Sequence, residues 1–281
     1  MTVKIVTDTL SDITSNLAAE LGVTVVPLYV RFGEEIYRDR VEITSEEFYR
    51  RLVNVTKLPS TTQPTPNDFA NVYRELAKDT DEILVIVVSS KLSGTYQSAT
   101  QAKEMVKGKC RIEIVDSLNV AMGMGLIVIS AVKAVKEGAN LAKVADMARR
   151  AVSRSHLIAY FDTLKYLAKG GRIGKAQGLL GPLLSIKPIL TVRDGEMAPL
   201  TRVRSLNAGL DYFYNLVAGF SHIEGLAVEH ATTPNVADRL VERLGAIYPK
   251  EHIYRSVISP VIGTYAGPNA LALTVLEAEK K

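Results

Sequence analysis

The chain has 281 residues, of which 47% are hydrophobic and 23% charged, and its 34 Lys and Arg against 30 Asp and Glu leave a net charge of +4. That length exceeds what one hydrophobic core usually serves and predicts two domains, while the mixed charges and the lack of long Ser, Gly, Gln or Pro tracts exclude disorder and low complexity. Dispersed cations, 12 Tyr and 6 Phe without Trp, and no helix-turn-helix or RNP pattern argue against nucleic-acid binding, and the single cysteine, Cys110, excludes an intramolecular disulfide and a cysteine-based metal site.

In chain order, Val3 to Val6 is an apolar run interrupted at Asp8 before a signal-peptide core could form, so a cytoplasmic location is expected. Ile13, Leu17 and Leu21 recur at helical spacing behind Ser11 and stop at Gly22. Val23 to Val30 predicts a second strand, and Phe32-Gly33-Glu34-Glu35 a turn into a short hairpin. Thr44 to Val53 is helical, with Thr44 and Glu47 in a capping-box pattern. Ser60 to Pro64 is expected to be a loop before a helix that starts at Thr65-Pro66-Asn67-Asp68, with a cap, a proline and an acid in its first turn. Ile83 to Val88 is an uninterrupted apolar strand of the kind a parallel sheet covers on both faces. A helix from Thr95 to Val106 and a strand from Ile112 to Val115 follow. The longest uncharged apolar stretch, Leu118 to Val132, is shorter than the roughly 18 residues of a membrane span and reads as part of a buried helix running from Val120 to Lys136; Leu141 to Val152 is a further helix.

The pattern then restarts, which places a boundary at Ser155 and gives domains 1–155 and 156–281. The second half opens with a strand from His156 to Phe161, a helix from Leu164 to Lys169 and the segment Gly170-Gly171-Arg172-Ile173-Gly174. Lys187 to Val192 and Ala198 to Val203 flank Arg193-Asp194-Gly195-Glu196, where Asp-Gly suits a primed hairpin turn. A helix from Leu206 to Val217, strands at 225–229 and 253–257, a helix at 236–244 and an alternating run from Ala270 to Leu276 complete it. The fold class is therefore α/β, with a parallel-sheet N-terminal domain and a mixed-sheet C-terminal domain.

Small polar groups gather where strands end, at Asp8-Thr9, Ser89 to Tyr96 and Asp116-Ser117, and before the capped helix at Ser60 to Gln63. Open α/β sheets bind ligands at such ends, and hydroxyls beside a helix N-terminus can hold a carboxylate or phosphate without a buried cation. The same residues also serve routinely as turn and cap residues. Ser93 as a nucleophile lacks the G-x-S-x-G elbow, since Lys91 occupies a glycine position, and it needs one of the four histidines, of which His156 and His230 stand at strand ends. The glycine-rich basic segment around Arg172 has neither P-loop nor dinucleotide-fingerprint spacing. Asp8, Asp12 and Asp116 are scattered and give no metal set. Met122, Gly123, Met124 and Gly125 suit either core packing or an adaptable cavity wall.

The stretches Val6-Thr7-Asp8-Thr9-Leu10-Ser11-Asp12-Ile13, Thr61 to Phe69, Ser89 to Ala99, Val115-Asp116-Ser117, Leu164 to Leu190 and Gly263 to Leu271, in this order along nearly the whole chain, resemble the DegV family, which includes the fatty-acid-binding subunits of bacterial fatty acid kinase. The resemblance implies a two-domain α/β protein that buries a long-chain fatty acid between its domains, needs no other cofactor and no metal, and is not itself an enzyme. It implies that Ser93 with Gly94, and Thr61 with Thr62, hold the carboxylate, that Arg172 lies near the head group, and that Arg202 or Arg204 meets an ATP-dependent kinase that makes an acyl phosphate for phospholipid synthesis; a membrane surface enters only as a transient contact. The family's usual histidine in its G-T-H-x-G-P-G segment is Tyr265 here, and Asn269 replaces the last glycine. Tyrosine offers one neutral hydrogen bond and does not become cationic near neutral pH. Two rival expectations stand beside this one: a serine hydrolase acting on acyl esters through Ser93, and a binder of another ligand.

Overall fold

In the computed structural model, which describes residues 3–108, 110–179 and 186–279, thirteen strands form three sheets. The first is fully parallel in the order β2-β1-β6-β7, built from β1 (Lys4–Asp8), β2 (Val23–Val26), β6 (Glu82–Val87) and β7 (Arg111–Asp116). Its central strand β6 is buried from Ile83 to Val87, as the uninterrupted apolar run requires. A small antiparallel sheet pairs β3 (Tyr29–Phe32) with β4 (Glu35–Arg38) on one edge and β5 (Ser60–Thr62) on the other.

The six-stranded sheet has the order β10-β9-β8-β13-β11-β12, from β8 (Ser155–Tyr160), β9 (Lys187–Arg193), β10 (Glu196–Val203), β11 (Ile223–His230), β12 (Ile253–Val257) and β13 (Leu271–Glu277). Every neighbouring pair is antiparallel except β11 and β12. The β9–β10 turn has Asp194 and Gly195 both at positive φ, 55° and 82°, the primed turn that Asp-Gly predicts.

Between the large sheets lies the helix Met122–Lys136, which packs on β1 and β6 on one side and on β8, β11 and β13 on the other. A helix apolar all round is buried all round, and Met122 through Ile129 are buried without a break. Met122, Gly123, Met124 and Gly125 belong to this packing. A Cβ on Gly123 would fall 2.1 Å from Asn119 Oδ1, and one on Gly125 would fall 2.5 Å from the Ser11 carbonyl oxygen.

Four expectations need correction. Val23 to Val30 is two strands in two sheets, because Pro27 has no N–H for a continuing ladder and the chain turns there from β2 into β3. Ser60 to Thr62 is a strand, with Thr61 paired to Val30; its ladder partner lies thirty residues upstream and leaves no local signal. The long helix starts at Met122, since Leu118 and Ala121 have positive φ of 45° and 57°. The run at the C-terminus is buried on both faces from Leu271 to Leu276, because β13 is central: Leu271, Leu273 and Val275 join the core under the outer helices, while Ala272 and Leu276 face the other sheet. The Leu180 to Ser185 part of the stretch beginning at Leu164 lies outside the described residues.

Candidate functional site

The inner face of the six-stranded sheet and the loops of the parallel sheet enclose an apolar tunnel with about 700 Å³ of atom-free space including its mouth. Leu10, Leu92, Val120 and Ala121 come from the first half; Leu157, Ala159, Phe161, Leu167, Met197, Ile258, Val261, Ile262, Ala266, Ala270 and Ala272 come from the second. Alanines keep the space open where larger strand residues would fill it: Ala159 and Ala272 are direct partners across β8 and β13. Alanine is depleted in strands, and that was the one sequence signal for the wall.

Arg172 and Tyr265 bring the polar side-chain atoms of this lining. The same two residues border a second, open vestibule of about 1110 Å³, whose rim includes Lys57, Ser60, Thr61, Lys169 and Gly170. Tunnel and vestibule thus meet at Arg172 and Tyr265. The Tyr265 hydroxyl is hydrogen-bonded to Thr61 Oγ1 at 2.5 Å, and the Arg172 guanidinium lies 5.1 Å from the centre of the Tyr265 ring, within cation–π range. Arg172 is further oriented by donating from Nε to the Leu92 carbonyl at 3.2 Å and from Nη1 to the Gly170 carbonyl at 2.9 Å. Gly170 makes room for Tyr265, since a Cβ there would come within 2.3 Å of the ring.

Thr61, Tyr265 and Arg172 are therefore brought together from positions far apart in sequence. Ser93 and Gly94 belong to the adjoining loop: a Cβ on Gly94 would meet the Gln63 side chain at 2.6 Å, so the strand carrying Thr61 and the loop carrying Ser93 touch through Gln63. Ser93 Oγ is hydrogen-bonded to Thr95 Oγ1 at 2.9 Å. Among the described residues no histidine is hydrogen-bonded to Ser93. Thr62 is exposed and lines neither cavity. Arg202 in the edge strand β10 and Arg204 just beyond it are exposed.

The other polar strand ends are structural. Ser89 Oγ donates to the Gly195 carbonyl at 2.7 Å and pins the β9–β10 turn to the parallel sheet. Asp116 accepts from the Ser90 and Leu118 amides. Asp8 is fully buried and accepts from the Leu10 and Val88 amides at 2.8 and 2.9 Å; burial pushes it up to about 7 in spite of those donors. Behind the tunnel wall stands a set that sequence reading did not join: Asp12, Asp39, Arg40 and Glu229, of which the three acids are fully buried. Their positions span 217 residues, so no local pattern joins them. Among the described residues no group of three or more His, Cys, Asp and Glu is arranged to hold a metal, and no helix is long and apolar enough to cross a membrane.

These features define an α/β protein with an apolar tunnel that opens past one tyrosine and one arginine into a basic vestibule. The chain belongs to the DegV family, whose sequence model matches residues 2–278. A DegV domain-containing protein of Caldanaerobacter subterraneus is 36% identical over 272 residues, covering 95% of this chain and 96% of that protein. A Thermus thermophilus DegV family structure described for fatty acid binding superposes with a TM-score of 0.91 at 33% identity, covering 99% of this chain and all of the other. DegV of Bacillus subtilis, described as a fatty acid binding protein, superposes with a TM-score of 0.90 at 29% identity over 99% of this chain and all of that one.

Proposed function

We propose that this protein is a non-catalytic carrier that buries one long-chain fatty acid in the tunnel with its carboxylate at Arg172, Tyr265 and Thr61. The carrying observation is the distribution of polarity: a wholly aliphatic and aromatic cavity whose polar side chains stand only where it meets the vestibule. At about 0.8 kcal/mol per buried methylene, a long chain contributes on the order of 12 kcal/mol of gross transfer energy, against about 1 kcal/mol net for each neutral hydrogen bond. The tail then sets affinity and the head group sets orientation. Ser93 and Gly94 form the second side of the head-group site through Gln63, and Thr62 marks its solvent edge. In this reading the exposed carboxylate is handed in the cytoplasm to a separate ATP-dependent kinase, which makes an acyl phosphate for phospholipid synthesis, and Arg202 and Arg204 face that partner. The division into domains 1–155 and 156–281, with the ligand between them, belongs to the same proposal.

Native mass spectrometry of the purified full chain, before and after incubation with fatty acids, tests this. A mass increment that disappears on denaturation and extracts as a fatty acid is expected; a chain that takes up no fatty acid under either condition would sink the carrier reading.

A further inference from the structure

Five segments remote in sequence meet behind the tunnel wall. Asp12 stands in the left-handed region at φ 50°, its Oδ1 accepting from the Ser259 amide at 3.2 Å and lying 3.3 Å from Arg40 Nη2. Its backbone carbonyl accepts from Ser256 Oγ at 2.6 Å. Arg40 also donates to the carbonyls of Ile13 and Val257. Glu229, from β11, accepts through Oε2 from the Met122 amide at 3.0 Å, the first turn of the central helix. Glu229 is the register partner of Ser256 across β11 and β12, and Ser256 Oγ reaches the Asp12 carbonyl, so the Asp12 and Glu229 carboxyl groups are neighbours; among the described residues Asp12 Oδ2 and Glu229 Oε1 have no N–H or hydroxyl donor.

Two neighbouring buried carboxylates repel each other when both are ionised, and a proton on one, donated to the other, removes that repulsion. Arg40 balances one negative charge only. The remaining groups facing the pair are Asp39 beside Arg40, Asp8 at the end of β1, and Tyr49, whose hydroxyl donates to the Ile258 carbonyl at 3.2 Å. Those acids add negative charge rather than relieving it.

Three of the segments tied here also supply tunnel wall: Leu10 precedes Asp12, Ala121 precedes Met122, and Ile258 and Val261 flank Ser259. We infer that a single proton shared by Asp12 and Glu229 holds these segments in register, making Glu229 a positioning residue for the tunnel wall whose ionisation loosens it. Burial and the Asp12 charge both move Glu229 well above the usual carboxylate range, so the link is intact near neutrality and fails as pH rises. Its consequence for ligand affinity rests on the fatty-acid reading; the proton itself does not.

The test is thermal unfolding of the lipid-free full chain at about pH 6 and about pH 9, for the native sequence and for Glu229→Gln, whose amide donates to Asp12 at every pH while its carbonyl still accepts from Met122. The native chain is expected to lose several degrees more than Glu229→Gln over this interval; equal losses would overturn the inference. If Glu229→Gln does not fold, an infrared titration of the native chain decides: a carboxylic-acid C=O band persisting above about pH 8, where Asp8 and Asp39 are ionised, supports the shared proton, and its absence refutes it. A fluorescent polyene fatty acid, titrated in parallel, is expected to bind the native chain severalfold more weakly at the higher pH and Glu229→Gln nearly equally at both. If that probe binds neither protein at any pH, the fatty-acid reading fails, and the melting comparison still judges the proton.

Discussion

Tyr265 carries the departure that distinguishes this chain's site. Its hydroxyl is held by Thr61 and its ring faces the Arg172 guanidinium, so a neutral donor and a fixed cation share the tunnel mouth. In the carrier reading, Tyr265→Phe removes the donor and keeps the ring under Arg172. It is expected to weaken a fluorescent fatty acid by roughly two- to tenfold, the net worth of a hydrogen bond. Thr61→Ala should cost a similar factor, and the double variant should cost less than the product, because the two residues share one bond. Titrations in which the three variants match the native chain would remove the carboxylate from this position. Ser93→Ala, read in the same assay, is expected to give a smaller loss, since Thr95 already engages its hydroxyl. The hydroxyls of Thr61 and Ser93 were legible in the sequence as donors beside helix starts. Which of them face a cavity was not, because that depends on the pairing of β5 with β3 and on the Gln63–Gly94 contact.

Among elements, the central helix Met122–Lys136 governs both sheets. Its glycines are fixed by close approach: the space for a Gly125 side chain is taken by the Ser11 carbonyl and Met122 Sδ. Gly125→Ala is expected to destabilise the fold by about 1–3 kcal/mol, the usual cost of overpacking, seen as a lower denaturation midpoint at unchanged slope. A neutral or stabilising result would show that the helix can shift off the Ser11 loop. The helix itself was readable from its apolar run, and so were β6, the Asp194-Gly195 turn and the Thr65 cap, which the structure completes as a capping box with Asp68. Each is set by residues within a few positions of one another. The pairing of β5 with β3 and the central place of β13 were not, since their partners lie far along the chain.

At the scale of the molecule, the interior holds more acid than base. Burial raises Asp8 and Asp39 from their ordinary range to about 7, so the folded state retains protons that the unfolded chain releases near about pH 4. A raised carboxyl contributes stability that is full below the unfolded value and lost as pH rises through the folded one. The melting temperature is therefore expected to fall between about pH 5 and about pH 8, and Asp39→Asn to flatten that fall. A melting temperature that climbs over the interval would mean that both acids are ionised in the native state.

By itself the sequence determined the α/β class, the buried helix, and the family, which six ordered stretches carry. Those are properties of periodicity, local turn chemistry and linear motif order. Only the tertiary structure decided that Arg172, Tyr265 and Thr61 meet at one mouth, that alanines of β8 and β13 leave a tunnel, and that Asp12 and Glu229 are neighbours. The reason is physical: strand register, side-chain direction and the burial of charge are set by contacts between segments as much as two hundred residues apart, and no window of the chain contains both partners.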